Sequence, residues 1–115
     1  MTDRFSPITT HVLDTARGKP ATGIPVSLHV QSNGSWKEIA RGVTNQDGRI
    51  TDLLQESSLK AGRYRLTFTT DKYLEQSGKS FFPEVEAIFE VHDPAQHYHV
   101  PLLLSPYGYS IYRGS

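Results

Sequence analysis

The stretch Tyr98-His-Val-Pro-Leu-Leu-Leu-Ser-Pro-Tyr-Gly-Tyr-Ser-Ile-Tyr-Arg-Gly-Ser115 decides the fold, because it reads as structure almost to its last residue. His99, Val100, Leu102, Leu103 and Leu104 have the make-up of a buried strand, Ser105-Pro-Tyr-Gly108 that of a turn, and residues 109–113 that of a return strand. The chain is therefore expected to stop inside the fold. Two such strands need further strands to cover one face, and the preceding sequence supplies them.

Working back from it, residues 85–91 read as a strand in which Glu86 and Glu90 sit among residues suited to a sheet, with Phe81-Phe-Pro83 leading in and Asp93-Pro94 breaking it. Tyr64, Leu66 and Phe68 share one face of a strand over 62–70. Asp71 can cap a short helix over 72–76, which Gly78 ends; it is the one helix expected. Residues 52–60 read as a connection without strand character. Asn33-Gly34 is a hairpin signal between an alternating strand over 24–32, with Ile24, Val26, Leu28 and Val30 inward, and a strand over 36–44. In the latter Trp36, Ile39 and Val43 are the candidates for burial. Residues 8–14 make the first strand, and Gly18, Pro20 and Gly23 mark residues 15–23 as loop. Short strands at 8–12-residue spacing predict an all-β, antiparallel β-sandwich of seven to eight strands with one short helix, a single domain over residues 1–115.

Composition narrows the function. Twelve Lys plus Arg offset twelve Asp plus Glu, so no excess positive field recruits nucleic acid or an anionic membrane. No cysteine is present, which removes thiol nucleophiles and thiolate metal sites. Residues 1–8 lack the apolar core of a signal peptide, and no run approaches the ~20 apolar residues of a membrane span. The expected setting is the cytoplasm. Phosphate-cradling glycine motifs do not occur, which argues against a nucleotide enzyme.

The five histidines are 11, 29, 92, 97 and 99. If Val12, Val100, Leu102 and Leu104 face the core, the strand period of two turns His11, His99, Pro101 and Leu103 the other way. That outer face, with Tyr112 as a further candidate, is apolar enough to meet another subunit. A histidine there titrates near neutrality and serves as acid or base, the alternative being a hydrogen-bonded surface residue. Arg49 follows the turn Asn45-Gln-Asp-Gly48 directly, at the mouth of a hairpin, as a site residue or a solvated loop arginine. His97 and His99 share a face as a metal pair would, with His11 a conceivable third ligand, but no acid completes the set and no metal is expected. His29 and His92 read as surface residues.

These residues carry a resemblance that runs end to end. His11-Val-Leu-Asp-Thr15 with Gly18 and Pro20-Ala21, Thr44-Asn-Gln-Asp-Gly-Arg49, Phe81-Phe-Pro-Glu-Val85 and the run from His97 to Ser110 resemble the 5-hydroxyisourate hydrolases, the transthyretin-related enzymes of urate degradation. The ending Tyr112-Arg-Gly-Ser115 is the most specific motif, since the hormone-carrying transthyretins lack it and the paired histidines. The one departure noticed is Ile111, where a Thr is usual; by strand period it points away from Tyr112.

The resemblance implies a transthyretin-like sandwich assembled as a homotetramer, a dimer of dimers with the sites along a central channel. It implies hydrolysis of a small molecule, 5-hydroxyisourate, to 2-oxo-4-hydroxy-4-carboxy-5-ureidoimidazoline, with no metal or cofactor. The catalytic set falls on His11, Arg49, His99 and Ser115, and Tyr112, Arg113 and Gly114 shape the substrate site. The rival reading is a small-molecule carrier using the same channel.

Overall fold

The computed structural model describes residues 6–78 and 80–115, so the leader reading on residues 1–5 lies outside the described residues. Its strands are β1 (Ile8–Asp14), β2 (Lys19–Pro20), β3 (Pro25–Ser32), β4 (Ser35–Val43), β5 (Arg49–Ile50), β6 (Gly62–Thr69), β7 (Glu84–Val91), β8 (Tyr98–Ser105) and β9 (Gly108–Ile111). Seven of these have four residues or more, as the turn spacing predicted. One sheet runs β2-β1-β8-β9 with β5 also on β1, and the other runs β4-β3-β6-β7.

The sheets meet through alternate residues of each strand. Val12, Val100, Leu102 and Leu104 from one side and Val26, Leu28, Leu66, Phe68 and Val85 from the other are buried in a common core. Ile111, opposite Leu102, packs against that core, so its methyls replace nothing in the outer face. Polar groups caught on the inner face are bonded, as burial demands. The Thr10 hydroxyl donates to the Val100 carbonyl at 2.6 Å, and buried Asp14 accepts from the Ala16 and Arg17 amides and from the Tyr73 hydroxyl at 2.7 Å. Burial first, then the bond to Asp14 and its charge, push the Tyr73 phenol up to about 12.

Several details differ from the sequence reading. β1 pairs with β8 in parallel along seven residues, from Ile8 opposite Tyr98 to Asp14 opposite Leu104, so the first sheet is mixed where an antiparallel one was expected. The two strands come from opposite ends of the chain, and nothing local in either reveals the direction. The loop 15–23 contains β2, and Arg49 opens a two-residue strand. In β4, Ile39 is 37% and Val43 59% exposed, against the expectation of burial, while Trp36 is half-buried. A bulge between Leu28 and His29 leaves Ile39 without a partner, and Ala40 and Gly42 take the inward positions opposite Leu28 and Val26. The helix spans Asp71–Leu74 and continues as a 3₁₀ turn, Glu75–Ser77. Thr70, not Asp71, is its N-cap residue, and its hydroxyl is spent on the Phe82 carbonyl at 2.6 Å. The last strand ends at Ile111, two residues before the expected Arg113, and an isolated bridge then joins Gly114 to His99.

Tyr73→Phe removes one of the donors to a buried carboxylate and leaves the packing volume almost unchanged. It should lower stability by about 2 kcal/mol, the scale of a hydrogen bond to a charged group. Urea unfolding should show a lower midpoint at unchanged slope.

Candidate active site

The outer face of the first sheet carries the side chains that alternate with its core residues. On β1 these are Thr9 and His11, and on β8 His99 and Pro101, placed side by side by the parallel register, Thr9 opposite His99 and His11 opposite Pro101. β5 adds Arg49 directly opposite His11. A tight turn makes that pairing possible. The Asn45 side chain accepts from the Asp47 and Arg49 amides, and Val12 donates its amide to the Gly48 carbonyl at 2.7 Å. Gly48 has φ +73°, and a Cβ there would overlap the Val12 carbonyl. Only glycine lets the turn lie this close to β1.

The segment after β9 closes the opposite side. Gly114 donates its amide to the His99 carbonyl at 2.8 Å. A Cβ on Gly114 would come within 2.7 Å of Cδ2 of His99 and 3.1 Å of Pro101 Cγ, so the backbone itself lies on the imidazole. The result is a cavity of about 440 Å³ whose wall includes Thr9, His11, Arg49, His99, Tyr112 and Ser115. His97, Thr51, Pro101 and Gly114 complete it.

Of the residues expected at a site, the fold thus brings His11, Arg49, His99, Tyr112, Gly114 and Ser115 to one cavity. Arg113 is not on its wall. Its guanidinium lies 4.4 Å over the Tyr98 ring and donates to Gln96 Oε1 at 3.0 Å and to the His97 carbonyl at 3.3 Å, so it ties the segment after β9 to the start of β8. Four wall residues were not predicted as site residues, among them Pro101, which the strand period had placed on this face. Thr51 offered no signal, and His97 was weighed only as a metal ligand. Thr9 was legible through the period of two, since it stands two residues before His11 on the same strand face. Among the described residues no group of three or more His, Asp or Glu has the arrangement of a metal site.

The electrostatics are those of neutral imidazoles beside a fixed cation. The rings of His11 and His99 are 6.5 Å apart. Burial lowers the pKa of His11, Arg49 lowers it further, and the Asp47 backbone and charge pull it back up. For His99 burial again comes first, followed by Arg49, His97 and His11, with hydrogen bonding to the Thr9 backbone opposing them. Both shifts favour the uncharged ring, the form that can take a proton.

A second cavity, of about 230 Å³, opens between the free edges of β7 and β9 and is lined by Ala87, Ile88, Phe89, Val100, Ile111 and Tyr112 among others. Its apolar wall and two strand edges that are unpaired among the described residues suit association of chains, whereas the first cavity holds paired imidazoles and a cation.

The HIUase/Transthyretin family model matches residues 8–114. A mouse 5-hydroxyisourate hydrolase is 46% identical over 118 residues, with 100% of both chains covered. One from Deinococcus radiodurans is also 46% identical, covering 94% of this chain and 95% of its own. Among solved structures, the 5-hydroxyisourate hydrolase of Klebsiella pneumoniae superposes with a TM-score of 0.80 at 38% identity, covering 94% of this chain and 98% of its own. Sea bream transthyretin in complex with thyroxine superposes with a TM-score of 0.88 at 33% identity, with 95% of each chain covered.

Because Arg49 adds to burial in depressing both imidazoles, Arg49→Gln should raise the titration midpoints of His11 and His99 toward the ordinary value. Histidine ring resonances followed against pH by NMR read this directly. Unmoved midpoints for His11 and His99 would place the guanidinium away from the rings.

Proposed function

The chain belongs to the HIUase/Transthyretin family, and from that premise we propose that it hydrolyses 5-hydroxyisourate to 2-oxo-4-hydroxy-4-carboxy-5-ureidoimidazoline, with His11, Arg49, His99 and Ser115 as the groups that meet the substrate. The reading rests on one observation above others: two neutral imidazoles and a guanidinium converge on one cavity from three different strands.

The chemistry follows from what each group offers. Water is a weak nucleophile at neutral pH, so an imidazole takes one of its protons as the oxygen bonds to the ring amide carbonyl. The carbonyl oxygen becomes an oxyanion, opposite which Arg49 offers a fixed charge and planar donors. The carbon–nitrogen bond then breaks, the imidazolium returns its proton to the departing ring nitrogen, and the new carboxyl group remains on the opened product. Ser115 and Tyr112 bound the cavity and orient the planar substrate. Gly114 keeps the His99 ring in place, and Arg113 positions the segment through Gln96 and His97. No step calls on a metal or cofactor.

For assembly we propose a dimer formed along the free edges of β7 and β9, the last strands of their sheets, and two dimers closing on the histidine-bearing faces into a tetramer. Exposed Ile88 and Tyr112 beside these edges support the first contact. A carrier would use the same channel, and the charged, imidazole-lined wall is what disfavours it here.

The deciding assay is the loss of the ultraviolet band of freshly made 5-hydroxyisourate, which also decays unaided. The protein should accelerate it, unchanged by chelator; decay at the spontaneous rate would remove the enzyme reading and leave the carrier. His11→Asn and His99→Asn should each lower kcat by ~10²-fold or more. Arg49→Lys keeps the charge and loses the fork, and should still lose about 3 kcal/mol of transition-state stabilisation. Gly114→Ala should keep the fold and lose ~10²-fold in rate, the scale of a ~1 Å displacement of a reacting group. A normal rate in that variant would show that the His99 ring has room to spare.

A further inference from the structure

Thr9 and Thr10 are adjacent and chemically identical, yet the strand turns them to opposite faces, and only one has a structural task. Thr10 bonds the Val100 carbonyl inside the sandwich. Thr9 is 4% exposed, and its hydroxyl lies between two imidazoles, 2.8 Å from Nδ1 of His99 and 2.9 Å from Nε2 of His97. The two rings are stacked at 6.3 Å and tilted by 21°.

A hydroxyl has one hydrogen to give. With a ring nitrogen on each side, it donates to one imidazole and accepts from the other, so the tautomers of His97 and His99 are not independent. Two arrangements satisfy both bonds. In the first, His99 carries its hydrogen on Nδ1 and donates it to Thr9, the Thr9 hydrogen goes to His97 Nε2, and His99 Nε2 holds a free lone pair. In the second the chain of donors reverses, and His99 presents an N–H where the base would be. The hydrolysis selects between them: only the first leaves His99 able to take a proton at Nε2, the ring nitrogen that does not face Thr9.

We propose that Thr9 is a positioning residue for the hydrolysis: its hydroxyl, committed to His97 as donor, holds the hydrogen of His99 on Nδ1 and so leaves Nε2 as the lone pair that takes the proton of the attacking water. This rests on the hydrolase reading and deepens it, by assigning the base to His99. The balance is simple. Water gives its proton to Nε2, the imidazolium keeps Nδ1–H on Thr9, and the same Nε2 proton passes to the departing ring nitrogen, so no hydrogen in the chain of donors has to reverse during turnover. His97, exposed at the cavity edge, acts only by keeping the Thr9 hydrogen turned away from His99. The charged and titratable side chains that act on His99 from neighbouring elements are His11 on β1, Arg49 on β5 and His97 before β8, and Ser115 lines the same cavity.

The test compares Thr9→Val, which keeps the shape and removes the hydroxyl, with Thr9→Ser, which keeps the hydroxyl. Thr9→Val should lower kcat on the order of tenfold, less than loss of the base itself, with KM nearly unchanged and the acid limb of the pH–rate profile displaced. Thr9→Ser should recover most of the rate. The tautomer is read separately by ¹⁵N NMR of the ring nitrogens: His99 should show a protonated Nδ1 and an unprotonated Nε2 in the unaltered protein, and a mixture in Thr9→Val. His97→Ala, at an exposed position that folding does not depend on, should shift the same resonances. A protonated Nε2 in the unaltered protein, or a Thr9→Val variant with unchanged kcat and unchanged His99 resonances, would overturn the proposal; should Thr9→Val not fold, unchanged resonances in His97→Ala overturn it alone. Failure of the hydrolase reading is distinguishable, because the unaltered protein would then leave 5-hydroxyisourate decay untouched whatever its tautomer.

Discussion

The parallel pairing of β1 with β8 is the constraint on which the site depends. A strand presents alternate residues to alternate faces, so a slip of one residue would exchange His11 for Val12, put an imidazole in the core and bare a valine to the cavity. The pairing is pinned at both ends, by Tyr98 N to the Pro7 carbonyl at 2.8 Å and Thr15 N to the Leu104 carbonyl at 2.9 Å. Buried side chains hold it in the middle, where a displaced Val12 or Leu102 would leave its place against the other sheet empty. The positions of His11 and His99 therefore draw on the stability of the whole core. β5 and Gly114 are light attachments to this frame, one turn and one bridge, and each adds a single group to the rim.

Much of this was legible because the signals were local. The alternation of Val26 with Ser27 and Leu28, the Asn33-Gly34 turn and the apolar row Val100, Leu102 and Leu104 follow from neighbours in sequence, and the same period turned His11 and His99 outward together. What escaped was set by partners far along the chain. The direction of β1 against β8, the unpaired Ile39 at a bulge and the pairing of Arg49 with His11 depend on how separate segments meet. Arg113 was read as part of the site because its neighbours in the terminal motif are, and its side chain instead reaches back over Tyr98. Thr9 was passed over for a different reason: the period of two put it on the face of His11, but a threonine in a strand is ordinary, and the two imidazoles on either side of its hydroxyl are what make it notable.

A sandwich of this kind is a scaffold for more than one task, so the distinction between carrying and cleaving lies in a few side chains on one face. In the hydrolysis proposed above Arg49 is central to it, because its charge would act at two moments with opposite effect on its neighbours. Before the reaction it adds to burial in disfavouring a positive charge on His11 and His99, and so favours the form able to accept a proton. As water attacks, the substrate gains an oxyanion, which draws on the same guanidinium and offsets its charge. The imidazolium that forms in that step then stands beside a neutral pair, not a bare cation. The field that makes the base available in the resting site is thus largely cancelled when the base has taken its proton, and this cancellation requires no movement of the protein, only the chemistry of the substrate between three groups held on a rigid sheet.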